Sequence, residues 1–188
     1  MSRRRNAQET RAIIFEAASK ILRNEGLSSL TIAKVASEAG LSKGGLLYHF
    51  PNKLSLIEAL FNYHNNRFEQ RLEQLTLQEG NQPGSWLRAY AKASLEQVLD
   101  QDTASLYFAL FAAEEKYASA HKLMRQKYQV WQQTLIANSD DVTWATVLRL
   151  AIDGLWFTEM HHYAPLPEAQ RQAVIDIILR LTKQPKPT

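Results

Sequence analysis

The stretch Thr31-Ile-Ala-Lys-Val-Ala-Ser-Glu-Ala-Gly-Leu-Ser-Lys-Gly-Gly-Leu-Leu-Tyr-His-Phe-Pro-Asn-Lys53 reads as two short helices joined by a tight turn. Ser28, Ser29 or Thr31 supplies a cap for the first, and Ile32, Val35, Ala36 and Ala39 fall on one of its faces. Gly40 follows, suited to the left-handed backbone on which helices often end. Ser42 caps the second helix, where Leu46 and Phe50 lie one turn apart, and Pro51 stops it because proline cannot continue the hydrogen-bond ladder. Upstream, Ile14, Ala17, Ala18, Ile21 and Leu22 mark an amphipathic helix over Gln8 to Glu25, with Gly26 as its stop. Three helices in this order, the later two joined across Ala39-Gly40-Leu41-Ser42, match a helix-turn-helix, whose last helix enters the major groove of DNA.

Downstream, the pattern stays helical. A long helix starts at Asn52 or Ser55 and carries Leu56, Ile57, Leu60, Phe61, His64, Phe68, Leu72 and Leu75 to about Glu79. Gly80, Asn81, Gln82, Pro83 and Gly84 then form a cluster of helix breakers. Further helices are expected near Ser85 to Leu99, Thr103 to Tyr117, Ser119 to Asn138, Val142 to Tyr163 and Pro167 to Thr182. No stretch alternates between apolar and polar like a half-buried strand, and no long period repeats. The predicted fold is all-α.

Composition narrows the function. Hydrophobic residues make up 45% of the 188 and charged residues 22%, ordinary globular values. No cysteine is present, which removes disulfides, thiolate nucleophiles and Cys-based metal sites together. No apolar run reaches the 18 residues of a membrane span, and Gln8, Glu9, Thr10 and Arg11 stand where a secretory signal would be apolar; a cytoplasmic location without membrane contact is expected. Residues 1–55 hold nine Lys/Arg against four acids, a net of +5, while the remainder holds 13 against 15. A basic end on a slightly acidic body suits a chain that meets phosphates at one end, though a solvated basic face would read the same way. Gly-rich phosphate loops and His-Glu-x-x-His are absent, so no enzymatic activity is expected. His161 and His162 diverge on a helix and do not clamp a metal; neither a metal nor a cofactor is expected.

Within the second short helix, Gly44 and Gly45 each forgo about 1 kcal/mol of helix stability relative to alanine. Close approach to a groove floor would compensate; a frayed first turn is the alternative. Lys43 beside them suits guanine O6 and N7. Thr31, Ser42, Tyr48, His49 and Lys53 are donor types that hold phosphates and fix register.

The quoted stretch resembles the DNA-binding signature of the TetR family of bacterial repressors, a likeness covering about residues 10 to 60. The resemblance implies a helix-turn-helix DNA-binding domain over 1–52 and a helical ligand-binding and dimerisation domain over 53–188. It places Thr31, Tyr48 and Lys53 on phosphate-contacting positions, and Ser42, Lys43, Gly45 and His49 on the groove-facing turn and helix. One departure stands out: Gly45-Leu46-Leu47 occupies positions where many members carry a polar residue and then Leu-Tyr, so base readout by this helix is expected to be sparse. The arm Arg3-Arg4-Arg5 either enters an adjacent minor groove or is a solubilising tail; the sequence leaves both open.

The second half is crowded with aromatic residues. Ordinary core packing accounts for many of them, yet Tyr90, Phe108, Phe111, Trp131, Trp156 and Phe157, with Met160, together suit a pocket for a small apolar or aromatic inducer, with Glu115 and Asp153 as polar anchors. Asp153 lies in an apolar run and needs a partner, Arg149 or a cationic ligand. Glu114, Glu159 and His161 are further polar candidates. The last two long helices carry apolar residues on more than one face, and the resemblance makes them the interface of a homodimer, which would read a near-palindromic site in double-stranded DNA. Ligand-released repression is the function these features favour. A TetR-like activator, or a helical interaction module with no DNA role, is the alternative.

Overall fold

The computed structural model describes residues 7–80, 82–98, 100–111 and 117–183. Among them are nine helices and no strand: α1 (Ala7–Ser29), α2 (Ile32–Glu38), α3 (Lys43–His49), α4 (Lys53–Glu79), α5 (Ser85–Val98), α6 (Gln101–Phe111), α7 (Ala118–Ala137), α8 (Val142–Met160) and α9 (Glu168–Leu181). No described helix is long and apolar enough to cross a membrane.

The caps are where the sequence puts them. Thr31 Oγ1 accepts from the Lys34 N–H at 3.2 Å, and Ser42 Oγ accepts from the Gly45 N–H at 3.0 Å. Asn52 and Ser55 cap each other at the start of α4, the Ser55 N–H donating to Asn52 Oδ1 at 2.8 Å. The first helix is interrupted at Gly26, the stop expected there, which takes a positive φ of 77° with an extended ψ of 179°, and a further turn carries α1 to Ser29. Two boundaries differ from expectation. Helix α6 begins at Gln101 rather than Thr103 and is described to Phe111, the residues between there and Tyr117 lying outside the described ones. Helix α8 ends at Met160 rather than Tyr163, and His162 and Ala164 take φ values of 53° and 51°. The buried Glu159 carboxylate accounts for this turn: it accepts from the Leu166 N–H at 2.9 Å and from Arg171 at 3.1 Å, folding the chain back toward α9.

The chain packs as two compact units, Met1–His64 with Gln101–Ala120, and Asn65–Asp100 with His121–Thr188. In the first, Ile14, Ala18, Ile21 and Leu22 of α1 are buried together with Val35, Leu46 and Phe50, α2 packing against both α1 and α3 and the Phe15 ring meeting that of Phe50 at 5.6 Å. Helix α6 lies against α1, with Arg23 paired to Asp102, and the buried Thr103 hydroxyl meets His64 Nδ1 at 2.7 Å. In the second, α5 packs against α8 and α9 around Phe68, Leu72, Trp86, Tyr90, Trp131, Leu135, Leu148 and Ile178.

A buried cation closes one end of this second core. Arg88, 5% exposed, donates from Nε to Glu79 at 2.7 Å, and from a terminal nitrogen to the Pro83 carbonyl at 3.0 Å and the Thr182 carbonyl at 3.3 Å. Three helix ends meet at this one guanidinium. Lys92 completes the pairing of Glu79, and although burial pushes the Glu79 carboxyl up, the hydrogen bonds from Lys92 and Arg88 bring it below its ordinary range. Gly84 sits beside the junction with φ at 73°, and a Cβ there would stand 2.7 Å from the Thr182 carbonyl oxygen. Gly84→Ala is therefore expected to lower unfolding stability by about 2 kcal/mol through backbone strain. Arg88→Ala, which leaves the part-buried Glu79 carboxylate to Lys92 alone and removes the donor to two carbonyls, is expected to lower it by about 2 to 3 kcal/mol. Urea unfolding followed by circular dichroism checks both; two near-neutral variants would refute the junction.

Candidate nucleic-acid interface and effector domain

Helix α3 is fixed by one residue and offered by the others. Leu46 is 0% exposed, anchoring the helix in the core of its unit, where α3 packs against α2, and Phe50 caps its end with a buried ring. Lys43, Gly44, Leu47 and Tyr48 then turn outward, because successive side chains rotate by about 100°. Tyr48 is 87% exposed, an unusual position for an aromatic ring, and its edge meets the half-buried His49 ring at 5.3 Å. Neither Gly44 nor Gly45 has a positive φ. A Cβ on Gly44 would meet nothing within 4 Å, and one on Gly45 only the Ser42 hydroxyl at 3.2 Å. The fold thus has no need of a glycine at 44, and its absence of side chain matters only toward something outside the unit.

The other expected contact residues also belong to this unit. Thr31 and Ser42 stand exposed at the starts of α2 and α3, each using its oxygen as a cap acceptor while its hydroxyl hydrogen remains available. Lys53 is half-buried, and its ammonium donates to the Leu27 carbonyl at 2.6 Å, tying the start of α4 to the end of α1. The arm Arg3 to Arg5 lies outside the described residues.

In the second unit, the expected ligand residues divide. Tyr90 and Trp131 meet at 5.6 Å, with Phe68 and Trp86 against them, all buried in a packed aromatic core. The Tyr90 hydroxyl donates to Asp153 at 2.6 Å, and Asp153 is paired on its other side with Arg149 of its own helix. Arg149 donates onward to Gln132 at 2.9 Å, and the Trp156 indole donates to Gln97 at 3.0 Å. Burial raises the Asp153 carboxyl, the opposing pull of Tyr90 and Arg149 notwithstanding. Burial also pushes the Tyr128 phenol up to about 12, with the Asp153 charge adding to it. Met160 is buried at the end of α8, whereas Phe157 is 42% exposed and meets the His161 ring at 4.5 Å in a tilted arrangement, apart from the aromatic core. The side chains of Phe108 and Phe111, and Glu114 and Glu115 altogether, lie outside the described residues.

One feature had no signal in the sequence, and a second was only partly legible. An open cleft of about 760 Å³ lies beside the Arg88 junction, lined by Glu79, Pro83, Asp141, Trp144, Leu148 and Leu181, among others. It is assembled from segments distant in sequence, so no local pattern announces it. On α8, Val147, Leu150, Ala151, Gly154 and Phe157 form an uncovered apolar strip, with Ile177 of α9 likewise exposed. The sequence shows that these residues are apolar, but not which face the core leaves uncovered.

Comparison with known proteins supports the reading of both units. The HTH-type transcriptional regulator TtgR of Pseudomonas putida is 44% identical over 54 residues, which is 29% of this chain and 26% of that protein, so the match spans about a quarter of the relative. A solved chain from Pseudomonas aeruginosa PAO1 superposes with a TM-score of 0.76 at 18% identity, covering 96% of this chain and 91% of that one. The multidrug binding protein EbrR, solved with ethidium, gives a TM-score of 0.65 at 20% identity, covering 92% and 98%. At these identities the two structures establish a shared fold. The family model for bacterial regulatory proteins of the tetR family matches residues 14–60, and the model for the tetracyclin repressor-like C-terminal domain matches residues 84–183. With more than half of its length under the second model and its helix-turn-helix under the first, the chain belongs to the tetR family of bacterial regulatory proteins.

Proposed function

We propose that this protein is a transcriptional repressor that binds a near-palindromic operator as a homodimer and leaves it when a small apolar or aromatic molecule enters its C-terminal domain. The observation that carries the reading is the outward face of α3, where Lys43, Gly44 and Tyr48 stand uncovered on a helix whose other face is fully buried. A glycine that the fold does not require, between a cation and an exposed phenol, fits close approach to a groove floor with flanking phosphate contacts. Residues 1–52 act as the reading domain, with Thr31, Ser42, Lys43, Gly44, Gly45, Tyr48, His49 and Lys53 as its contacts. Residues 53–188 act as the effector and pairing domain, with Tyr90, Trp131, Asp153, Trp156 and Met160 on the ligand side.

Pairing uses the strip Val147, Leu150, Ala151, Gly154 and Phe157 with Ile177. Exposed apolar residues in a row at helical spacing suit a two-fold helix contact, and Gly154 admits a close crossing. The effector class follows from the aromatic core around Tyr90 and Trp131, and the binding of ethidium by EbrR supports an aromatic ligand. Ligand and operator then weaken each other by the same factor, typically about 1 to 3 kcal/mol of coupling.

Binding of the purified protein to DNA from upstream of its own and neighbouring genes, across a salt series, tests the reading. Tight binding to one fragment is expected; sequence-blind binding would favour the interaction module instead. Gly44→Ala should act in opposite directions on two measurements, raising unfolding stability by about 0.5 kcal/mol while weakening operator binding, since an added methyl stabilises the helix and obstructs the groove. A variant with both quantities unchanged would remove Gly44 from the interface. Leu150→Glu should convert the dimer to a folded monomer in sedimentation and abolish tight operator binding; a dimer that survives it would move the pairing surface elsewhere.

A further inference from the structure

Six Lys and Arg residues lie in the described part of the chain between residues 7 and 64, and the structure sorts them. Lys20 is paired with Glu38, Arg23 with Asp102 and Lys34 with Glu25. Lys53 donates to the Leu27 carbonyl. Lys43 and Arg11 are the two for which the described residues supply neither a carboxylate nor a carbonyl partner. Lys43 is already placed on the reading helix. Arg11, on the first helix, is not accounted for by the groove-facing surface.

Its seat is specific. The Arg11 guanidinium carbon lies 4.7 Å from the centre of the Phe50 ring and 5.7 Å from that of Phe15, and these two rings are 5.6 Å apart. Phe50 is the residue that caps α3, and its ring is 6.4 Å from that of His49, which in turn meets Tyr48. Arg11 therefore stands at the C-terminal end of the reading helix, beside the expected phosphate-contacting residues Tyr48 and His49. At these distances the cation is attracted to the faces of both rings, which accept none of its five N–H donors as ordinary hydrogen bonds and so leave them for a further partner. The side chain is exposed, so those donors meet solvent. Stacking also fixes a long side chain that would otherwise lose rotamer freedom on binding.

We propose that Arg11 is a phosphate-contacting residue, held by Phe50 and Phe15 so that its guanidinium edge meets the DNA backbone flanking the groove entered by α3. This rests on the DNA-binding reading of the same unit. The partner is a backbone phosphate of duplex DNA, so the contact adds affinity at every sequence and discriminates none.

The test is the salt dependence of operator binding by the full-length protein. Arg11→Met keeps an apolar cover over Phe50 and removes the charge. The slope of log K against log salt should become shallower by about 2 per dimer, from about 0.9 for each lost phosphate contact, with all operator variants weakened by the same factor. Arg11→Lys should retain the slope, and Lys20→Met, which removes a cation already paired with Glu38, should leave it unchanged. Arg11→Gln, measured in parallel with thermal unfolding, serves if the methionine variant loses stability. An unchanged slope in the folded Met or Gln variant would reduce Arg11 to a cover for Phe50, and an equal loss of slope in Lys20→Met would reduce the effect to net charge. Absence of sequence preference in the unsubstituted protein would instead overturn the DNA-binding reading itself, and this inference with it.

Discussion

Seven residues do not hold a helix in water, where isolated helices shorter than about 12 residues are marginal. Helices α2 and α3 have seven residues each, so they exist because Val35, Leu46 and Phe50 are buried in the core of the first unit, where α2 packs against both α1 and α3. Full burial of such side chains contributes roughly 1.5 to 3 kcal/mol apiece, enough to offset what two short helices lack. The same burial sets orientation. Once Leu46 points into the core, rotation about the helix axis leaves Lys43, Gly44, Leu47 and Tyr48 on the outside, and no other arrangement of α3 keeps its single anchor. Presentation of the outer face thus follows from one constraint on the inner one.

Charge is distributed around this unit with comparable economy. Lys20, Arg23 and Lys34 are neutralised by partners from other segments, and these pairs are half exposed, where ion pairs contribute little stability. Their larger effect is to remove cations from competition for phosphate. Among the described residues, the two cations that these pairs and the bond from Lys53 to the Leu27 carbonyl leave over, Arg11 and Lys43, lie at the ends of α3 rather than on a broad basic surface. A net charge read from composition conceals this, because it counts paired and unpaired cations alike.

Legibility in the sequence tracks the range of the interaction. The caps at Thr31 and Ser42 and the stop at Gly26 are settled within three or four residues, so the helix-turn-helix can be placed from the chain alone. The end of α8 cannot, because Glu159 reaches forward to Leu166 and Arg171, and nothing in Thr158 to Tyr163 signals that turn. The pairing of Asp153 with Arg149 spans one helical turn and is visible as a possibility, while its bond to Tyr90 comes from a different helix and is not. In the sequence Arg11 is only part of a basic end, since its seat is made by Phe50, at the far side of the helix-turn-helix. Glycines at 44 and 45 are legible as an anomaly, and the open space around the first turns that anomaly into an argument about a partner.

The second unit places its buried charge and its uncovered strip on one helix. Asp153 holds a largely buried carboxylate with two strong partners, the Tyr90 hydroxyl from α5 and Arg149 from α8 itself, and burial still raises its pKa. A buried carboxylate that loses one such partner must gain another, take up a proton or move, because an unsatisfied charge in an apolar interior is unfavourable by several kcal/mol. Tyr90 also packs against Trp86, Trp131 and Phe68, so a molecule that enters this aromatic core disturbs the hydroxyl that holds Asp153. Val147, Leu150 and Phe157 lie on the exposed side of the same α8. A shift of α8 that satisfies Asp153 therefore moves that strip with it, since a continuous helix transmits displacement along its length. Coupling between the core of this unit and its outer apolar surface follows from that shared helix, with no contact required between the two sites.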